Sequence, residues 1–490
     1  MKKTLVIVFA LLLASCSKDE DLTLKPTVDP IDGSEVQVQD FMWKAMNFWY
    51  FWQAEVDDLA DDRFANTEEG RMEYTEFLAS EDDPAAFFEN KLQYINDRFS
   101  FYNSDYRELT NSLAGISKSN GLEFGLVRFQ GSTDVFGFVR YIVPNSNAAT
   151  VDINRGDLFT GVDGVTLTED NYISLLFGVN DTYTLNMADF VNGQVVPNDV
   201  EVTLTKEEAL AENPVFISKS FEIGGENIGY LMYNQFTNEY DDDLYAAIQS
   251  LKSTGITNLI IDLRYNPGGS VNTTRLLASM VYGTNTSDIF LRKRYNDKIQ
   301  EQLSDEQLEV YFADKINGET INTLGLSKVY VLTSSGSASA SELLINCLEP
   351  YMDVIQIGDK TRGKNEFSTT MVDDRENSYL YTPSRVNKIN PDNQWAIQPL
   401  IGRNENAEGF YEYTGGLQPD ILLKEDYGNL GILGDENEPL LARAIQAITG
   451  QTGKRDFTVN NPIDILNDSK MMSPVNGNMI DDTAHNIPLE

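Results

Sequence analysis

The chain has 490 residues, of which 41% are hydrophobic and 11% aromatic, enough for several packed cores and about three domains. Its 76 acidic and 37 basic residues leave a formal net charge of −39, which argues against nucleic-acid binding because such a surface repels phosphate backbones. Two cysteines exclude a disulfide-dense scaffold. The single histidine, His485, lies close to the C-terminus, which argues against a histidine base or a histidine-ligated zinc site.

The first 15 residues have the features of a secretion signal. Two lysines precede an apolar run, residues 5–14, that is too short to span a bilayer. The run ends in Leu-Ala-Ser-Cys16, which resembles a bacterial lipobox and predicts cleavage before Cys16 and its lipidation; an ordinary secretory signal is the alternative. A lipidated Cys16 would leave Cys347 without a disulfide partner, as a buried thiol.

An acidic stretch follows Cys16, and residues 16–38 have the composition of a solvated tether. A lysine followed by acids at this place resembles the surface-export signal of some Gram-negative lipoproteins, although any tether could be acidic. We therefore expect a cell-envelope lipoprotein in the outer membrane, exposed on the surface if the acidic run is an export signal.

Residues 39–111 have the pattern of a small helical domain. Asp40 is a candidate N-cap for a helix that carries Trp43, Trp49 and Trp52 on an aromatic stripe, which is typical of a packed core. A second helical pattern extends from Asp83.

Residues 112–206 change to a strand-like period with glycine and asparagine punctuation, including an Asp-Gly hairpin at 163–164. The order of these elements resembles a PDZ domain, a fold that binds an extended peptide as an added strand. By this resemblance, Leu122, Glu123, Phe124 and Gly125 would form the loop that receives a peptide's terminal carboxylate on backbone N–H groups. Glu123 departs from the usual Gly-Leu-Gly-Phe form and could repel that carboxylate.

From residue 207 to 450, predicted strands alternate with helices, which is typical of an α/β or mixed domain. Strands are expected at 227–233, 258–263, 327–332 and 353–357, with helices at 241–251 and 341–348. The polar residues 451–490 are expected to form a loosely attached tail.

Three segments at predicted strand ends carry candidate chemistry. They are Asp262-Leu-Arg-Tyr-Asn-Pro-Gly268-Gly269, Ser335-Gly-Ser-Ala-Ser339-Ala340-Ser-Glu342, and Gly358-Asp-Lys-Thr-Arg-Gly-Lys364. Glycines let backbone N–H groups approach a ligand, and a hydroxyl at a helix N-terminus lies where the dipole favours negative charge.

This ordered set resembles the C-terminal processing (tail-specific) proteases, serine peptidases that carry a PDZ domain. The resemblance implies that Ser339 is the nucleophile and Lys364, 25 residues later, is the general base. Two positions depart from the family: Ser368 stands where many members have a lysine-orienting glutamine, and Pro350, beside Glu349, stands where some have an aspartate. A serine at 368 could still hydrogen-bond the amine.

A lysine acts as a general base only when neutral, so the dyad requires burial to lower its pKa from about 10.4 to about 7–8. The oxyanion would be met by backbone N–H groups, those of Ala340 and of Gly268 or Gly269. No metal or organic cofactor is implied.

The predicted fold is multidomain α/β: a mixed α/β serine protease core with an inserted PDZ-like domain and an N-terminal helical domain. We expect a serine endopeptidase that cuts extended or unfolded polypeptides near the C-terminus. The main alternative is a catalytically inactive surface protein that binds peptides. Nucleotide binding is not favoured, since Gly358–Lys364 is followed by Asn365 and a predicted strand, and nothing resembles paired glycosidase carboxylates.

Overall fold

The computed structural model describes residues 28–451, 456–473, 475–482, 484 and 487. The predicted signal, Cys16 and His485 lie outside the described residues. Within the described part of the chain, no helix has the length and apolar composition needed to cross a membrane. The helices are α1 (Gln37–Trp49), α2 (Glu68–Leu78), α3 (Pro84–Phe87), α4 (Tyr106–Leu113), α5 (Tyr172–Leu176), α6 (Asp241–Ser253), α7 (Val271–Val281), α8 (Asp297–Gln300), α9 (Asp305–Leu308), α10 (Ala340–Leu348) and α11 (Pro439–Thr449).

The strands before the core are β1 (Phe101–Asn103), β2 (Ile116–Ser119), β3 (Leu122–Arg128), β4 (Val135–Ile142), β5 (Leu158–Val162), β6 (Val165–Thr166), β7 (Thr182–Val191), β8 (Gln194–Thr205) and β9 (Glu207–Ala211). The remaining strands are β10 (Val215–Ile223), β11 (Glu226–Tyr233), β12 (Asn258–Asp262), β13 (Gly269–Ser270), β14 (Ile289–Tyr295), β15 (Glu309–Tyr311), β16 (Lys315–Ile316), β17 (Glu319–Thr320), β18 (Lys328–Thr333), β19 (Asp353–Gly358), β20 (Glu366–Ser368), β21 (Met371–Val372), β22 (Ala396–Gln398), β23 (Leu400–Glu405), β24 (Ile421–Leu422), β25 (Ile465–Asp468) and β26 (Met479–Ile480).

The N-terminal helices are present, but α1 begins at Gln37, so the prediction of Asp40 as its N-cap was wrong. The Asp40 side chain is instead buried, where it accepts hydrogen bonds from Lys44 Nζ (3.0 Å) and Tyr74 Oη (2.8 Å). The aromatic stripe with Trp43 and Trp49 belongs to the same hydrophobic cluster as the helices of the following core. The helical region and the core are therefore packed as one unit.

The β-rich region that follows forms an antiparallel sheet in the order β25-β3-β4-β5-β7-β8, with β6 paired to β5. The predicted Asp-Gly hairpin is confirmed: Asp163 and Gly164 have positive φ angles of 51° and 79° between β5 and β6, the conformation that this two-residue turn requires. The sheet has its own apolar core, distinct from the large cluster beneath the helices.

The core contains a sheet in the order β10-β11-β12-β18-β19-β24, with parallel pairing from β11 to β24. The predicted strands and the helices α6 and α10 are confirmed within a few residues. Because β12, β18 and β19 are parallel neighbours, the loops after their carboxyl ends lie side by side, the usual place for a site in such a sheet.

The C-terminal residues differ from the prediction of a loosely attached tail. Strand β25 pairs antiparallel with β3, and β26 lies between β13 and β20, parallel to both. Asp481, directly after β26, forms a buried ion pair with Lys293 (2.7 Å). The polar composition of this segment indicated solvent exposure, but its short strands pair with strands that lie far away in the chain.

Candidate active site

Ser339 is placed at the N-terminus of α10 by a sharp turn after β18. It has φ 62° and ψ −112°, and a positive φ at a non-glycine residue is a strained conformation that is frequent at functional sites. The side chain is fully buried, and Ser339 Oγ faces the backbone N–H of Glu342 in a capping box without forming a hydrogen bond of full geometry. A hydroxyl held so weakly at a helix start is available for chemistry.

Glu342 joins the serine turn to the loop after β19. One of its oxygens, Oε2, accepts hydrogen bonds from the backbone N–H groups of Ser339 (2.7 Å) and Lys364 (2.9 Å). The other, Oε1, accepts from Gly363 N (2.6 Å) and from Thr361 Oγ1 (2.6 Å). The backbone nitrogens of Ser339 and Lys364 therefore bind the same oxygen atom, which fixes the two loops relative to each other.

Glu342 is fully buried, and burial raises its pKa to about 7 although its hydrogen bonds lower it. Sequence reasoning did not assign a role to this residue. Its position three residues after Ser339 is the spacing of a helix capping box, in which an acidic side chain bonds the N-cap N–H, and that spacing was a usable signal.

Lys364 is the candidate base, and its side chain is fully buried. Burial lowers its pKa to about 7, the largest effect, while the charges of Glu366 and Asp97 raise it and those of Arg362 and Arg98 lower it. The Nζ atom lies 4.3 Å from the centroid of the Phe99 ring. The amine therefore has the environment that keeps a lysine partly neutral at physiological pH.

No hydrogen bond joins Ser339 Oγ and Lys364 Nζ in this conformation. Lys364 Nζ donates to Asn478 Oδ1. Catalytic hydrogen bonds are often long in ligand-free enzymes and tighten only when substrate binds, so the direct contact of the dyad stays a prediction.

The loop with Gly268 and Gly269 lies against the serine. A Cβ at Gly268 would be 2.6 Å from Ser339 Cβ, and one at Gly269 would be 2.1 Å from Phe236 O, so both positions need glycine. However, Gly268 N–H donates to Asn266 Oδ1 (2.9 Å) and Gly269 N–H to Asn478 O (3.0 Å). Either glycine could serve an oxyanion only after releasing its present acceptor.

Ala340 is the first residue of α10, and the first N–H groups of a helix have no intrahelical acceptor. Among the predicted oxyanion donors, the N–H of Ala340 is therefore the one that helix geometry leaves available. The turn before it is held to the glycine loop, because Ala338 N–H (3.2 Å) and Ser341 Oγ (3.0 Å) both donate to Asn266 O.

Ser368 does not hydrogen-bond the lysine, so the suggestion that it replaces the glutamine was wrong. Its Oγ donates to Met479 O (3.2 Å) and accepts from Gln398 Nε2 (3.0 Å). The side chain that bonds Lys364 is Asn478, which sequence reasoning missed.

Buried charged side chains hold the loop that contains Gly268 and Gly269. Arg264 is fully buried and pairs with Asp262 (2.7 Å), Glu438 (2.6 Å) and Glu425 (3.2 Å). Arg155 of the β-rich region also pairs with Glu425 (3.0 Å) and donates to Tyr265 Oη (2.7 Å). This network joins the glycine loop, the start of α11 and the β-rich region.

The predicted carboxylate loop Leu122–Gly125 is part of strand β3, so the expectation of a loop was wrong. Its outer edge is already paired with β25, and Phe124 N–H donates to Ser469 Oγ (2.9 Å). Glu123 accepts from Ser469 Oγ (2.5 Å), and burial raises the pKa of Glu123 to about 7. The edge of β3 that would receive a peptide strand is thus occupied by the chain's own C-terminal segment.

A cavity of about 310 Å³ lies at this end of β3. Basic, acidic and apolar side chains line it, among them Lys206, Lys470, Glu123, Glu212 and Phe177. Within the described residues, no group of three or more His, Cys, Asp or Glu side chains is arranged to hold a metal ion. Cys347 is buried and forms no disulfide within the described residues, and burial raises the pKa of its thiol.

Comparison with known proteins agrees with this arrangement. Residues 227–408 match the peptidase family S41 model, and residues 37–101 match the model of the peptidase S41 N-terminal domain. The chain belongs to peptidase family S41. The S41 match includes Ser339, Lys364 and both glycines of the loop.

Individual relatives are distant in sequence. The chain is 26% identical over 243 residues to a probable CtpA-like serine protease of Staphylococcus epidermidis, which covers 48% of this chain and 43% of that protein. It is 26% identical over 270 residues to a carboxyl-terminal-processing protease of Picosynechococcus, covering 53% and 57%. The chain thus spans about half the length of these curated relatives.

A solved structure extends the similarity to nearly the whole fold. The crystal structure of a Bacteroides fragilis protein described as an S41 protease superposes with a TM-score of 0.62 at 26% identity, covering 84% of this chain and 97% of that one. The mixed α/β architecture of the S41 domain is therefore shared along most of the chain.

Proposed function

We propose that this protein is a serine endopeptidase in which Ser339 is the nucleophile and Lys364 the general base. The observation that carries the proposal is the pair of buried side chains whose backbone N–H groups bind one oxygen of Glu342. The lowered pKa of Lys364, about 7, supplies the neutral amine that such a base needs.

In the proposed reaction, Lys364 Nζ takes the proton of Ser339 Oγ as the oxygen attacks a peptide carbonyl. The negative charge on the carbonyl oxygen is met by Ala340 N–H, joined by Gly268 or Gly269 once its acceptor is released. The lysine then returns the proton to the departing amine, and water hydrolyses the acyl-enzyme with the same base.

We propose that substrates are extended or unfolded polypeptides and that the PDZ-like domain presents their C-terminal ends. Three lysines line the cavity beside β3. Lys118 and Lys470 are paired with acidic side chains and Lys206 Nζ donates to Gly178 O, so a terminal carboxylate would bind there by replacing one of these partners. Glu123 repels such a carboxylate less than an ordinary glutamate would, because its raised pKa leaves it partly protonated at neutral pH. Strand pairing of the peptide with β3 requires displacement of β25.

We further propose that the protein acts in the cell envelope, anchored through lipid on Cys16. The support is the lipobox-like sequence and the short apolar run before it. Labelling cells with a radioactive fatty acid, with Cys16→Ala as the control, tests the anchor: incorporation that persists in the variant would contradict it.

The experiment for the activity uses the mature protein and a denatured polypeptide substrate, with Ser339→Ala and Lys364→Ala variants in parallel. Cleavage by the wild type alone supports the proposal. Equal cleavage by all three proteins, or cleavage by none, would favour the inactive peptide-binding protein, which the S41 match does not favour.

A further inference from the structure

The catalytic lysine needs a partner that orients it. A neutral amine has two N–H bonds and one lone pair, and it rotates freely unless an N–H is held. The residue at the position expected for this task, Ser368, is bonded to Met479 O and Gln398. The orienting group must therefore come from elsewhere in the fold.

Asn478 contacts both halves of the candidate site. Its side-chain oxygen Oδ1 accepts a hydrogen bond from Lys364 Nζ, and its backbone oxygen accepts one from Gly269 N–H (3.0 Å). The residue is only 3% exposed. One residue thus binds the candidate base through its side chain and the glycine loop through its main chain.

Asn478 is held in place by the strand that follows it. Met479 pairs with Gly269 on one side and with Phe367 on the other, in parallel register. Asp481 N–H donates to Ser368 O (2.8 Å), and Ser270 Oγ donates to Asp482 Oδ2 (2.8 Å). The segment is therefore bonded on both sides at the point where Asn478 reaches the lysine.

An amide oxygen is chemically suited to this position. It accepts an N–H of the neutral amine and carries no charge, so it does not hold the lysine in its ammonium form as a carboxylate would. The charged groups around the amine have opposite effects on its pKa: Glu366 and Asp97 raise it, and Arg362 and Arg98 lower it. Phe99 covers another side of the nitrogen.

We propose that Asn478, on the C-terminal strand β26, is the positioning residue of the catalytic base. It fixes one N–H of Lys364 so that the lone pair can be directed to Ser339 when substrate binds. The inference rests on the proposed function, and it makes the C-terminal segment part of the active site.

The test compares Asn478→Asp and Asn478→Ala with the wild type, using the full mature chain and a chromogenic ester substrate over a range of pH. The isosteric aspartate places a negative charge beside the amine, so the acidic limb of kcat/KM should move up by about one to three pH units. Because the pKa of Lys364 is about 7, activity at pH 7 should fall about 5-fold for a shift of one unit and about 500-fold for three, and it should recover at higher pH. Asn478→Ala should lower kcat by about 10–100-fold with little change in KM and no upward shift of the limb.

Asn476→Asp is the matched control. Asn476 lies on the same segment but bonds Gln235 (3.3 Å) and Lys470 O (2.9 Å), so the same added charge should leave the limb in place. Equal shifts in Asn476→Asp and Asn478→Asp, or wild-type kinetics in both Asn478 variants, would overturn the inference.

A second readout separates this inference from the proposed function. NMR of lysine Cε and Nζ atoms, with the Lys364 signal assigned through Lys364→Met, reports the titration of the amine without any turnover. If Ser339→Ala hydrolyses the ester as fast as the wild type, the proposed function fails, but an upward shift of the Lys364 titration in Asn478→Asp still supports the contact. An unchanged titration overturns the inference whatever the activity.

Discussion

The buried lysine should cost the protein stability, and replacing it should recover that stability. Lowering the pKa of Lys364 from 10.5 to about 7 corresponds to about 5 kcal/mol at about 1.4 kcal/mol per unit. Because the unfolded chain binds this proton more tightly than the folded protein, the free energy of unfolding rises as the pH increases from about 7 to 10.5. At neutral pH the native protein bears most of this cost.

Lys364→Met keeps the length of the side chain and removes the titrating group. It also removes the hydrogen bond from Lys364 Nζ to Asn478 Oδ1, which costs about 1–3 kcal/mol. We therefore expect Lys364→Met to be more stable than the wild type by about 2–4 kcal/mol at pH 7. This advantage should disappear as the pH approaches the pKa of an ordinary lysine. The variant should be inactive, so stability and activity should change in opposite directions.

Urea unfolding at neutral and at alkaline pH measures the effect. Lys388→Met is the control, because that side chain is 53% exposed and its replacement should change stability by less than about 0.5 kcal/mol. A Lys364→Met protein that is less stable than the wild type at pH 7, or a difference that does not depend on pH, would refute the reasoning.

Three further changes test the surroundings of the site. Glu342→Gln removes an acceptor from at least one buried backbone N–H, so the free energy of unfolding should fall by about 1–3 kcal/mol and kcat at least 10-fold; wild-type values in urea unfolding and hydrolysis would contradict the role of this carboxylate. Above pH 7, Glu123→Gln should raise the affinity for a peptide with a free C-terminal carboxylate but not the affinity for the same peptide with an amidated C-terminus. Fluorescence anisotropy measures both affinities, and an equal increase in the two would contradict the prediction. The double variant Val127→Cys, Ile465→Cys allows a disulfide between two residues that are paired across β3 and β25. The disulfide should lower cleavage of long polypeptides but not of a small ester, and its reduction should restore cleavage of the polypeptides. Unchanged cleavage in the oxidised protein would show that β25 need not move.

The parts of the site that sequence could predict are those whose signal is local. Ser339 and Lys364 follow strands with clear apolar patterns, and their loops contain the small residues that a close approach requires. Parallel neighbouring strands then bring the loops together, so strand order alone predicts their proximity.

The parts that sequence could not predict depend on distant pairing. Asn478 lies 114 residues from Lys364, in a polar segment without periodicity, and its strand β26 has only two residues. Strand β25 occupies the edge of β3 for the same reason: a four-residue strand carries too little pattern to distinguish it from a loop. The polar composition of a segment indicates that it is soluble. Where the segment lies is decided by the distant strands with which it pairs.

The central claim is that Ser339 is the nucleophile and that a neutral Lys364 activates it. The most direct measurement is reaction with a fluorophosphonate probe, followed by mass spectrometry of the digested protein and by the pH dependence of the labelling rate. We predict a single adduct on Ser339, formed faster as the pH rises through about 7 and slowed strongly in Lys364→Met. An adduct on another residue, or labelling of Ser339 at the same rate without the lysine, would contradict the claim.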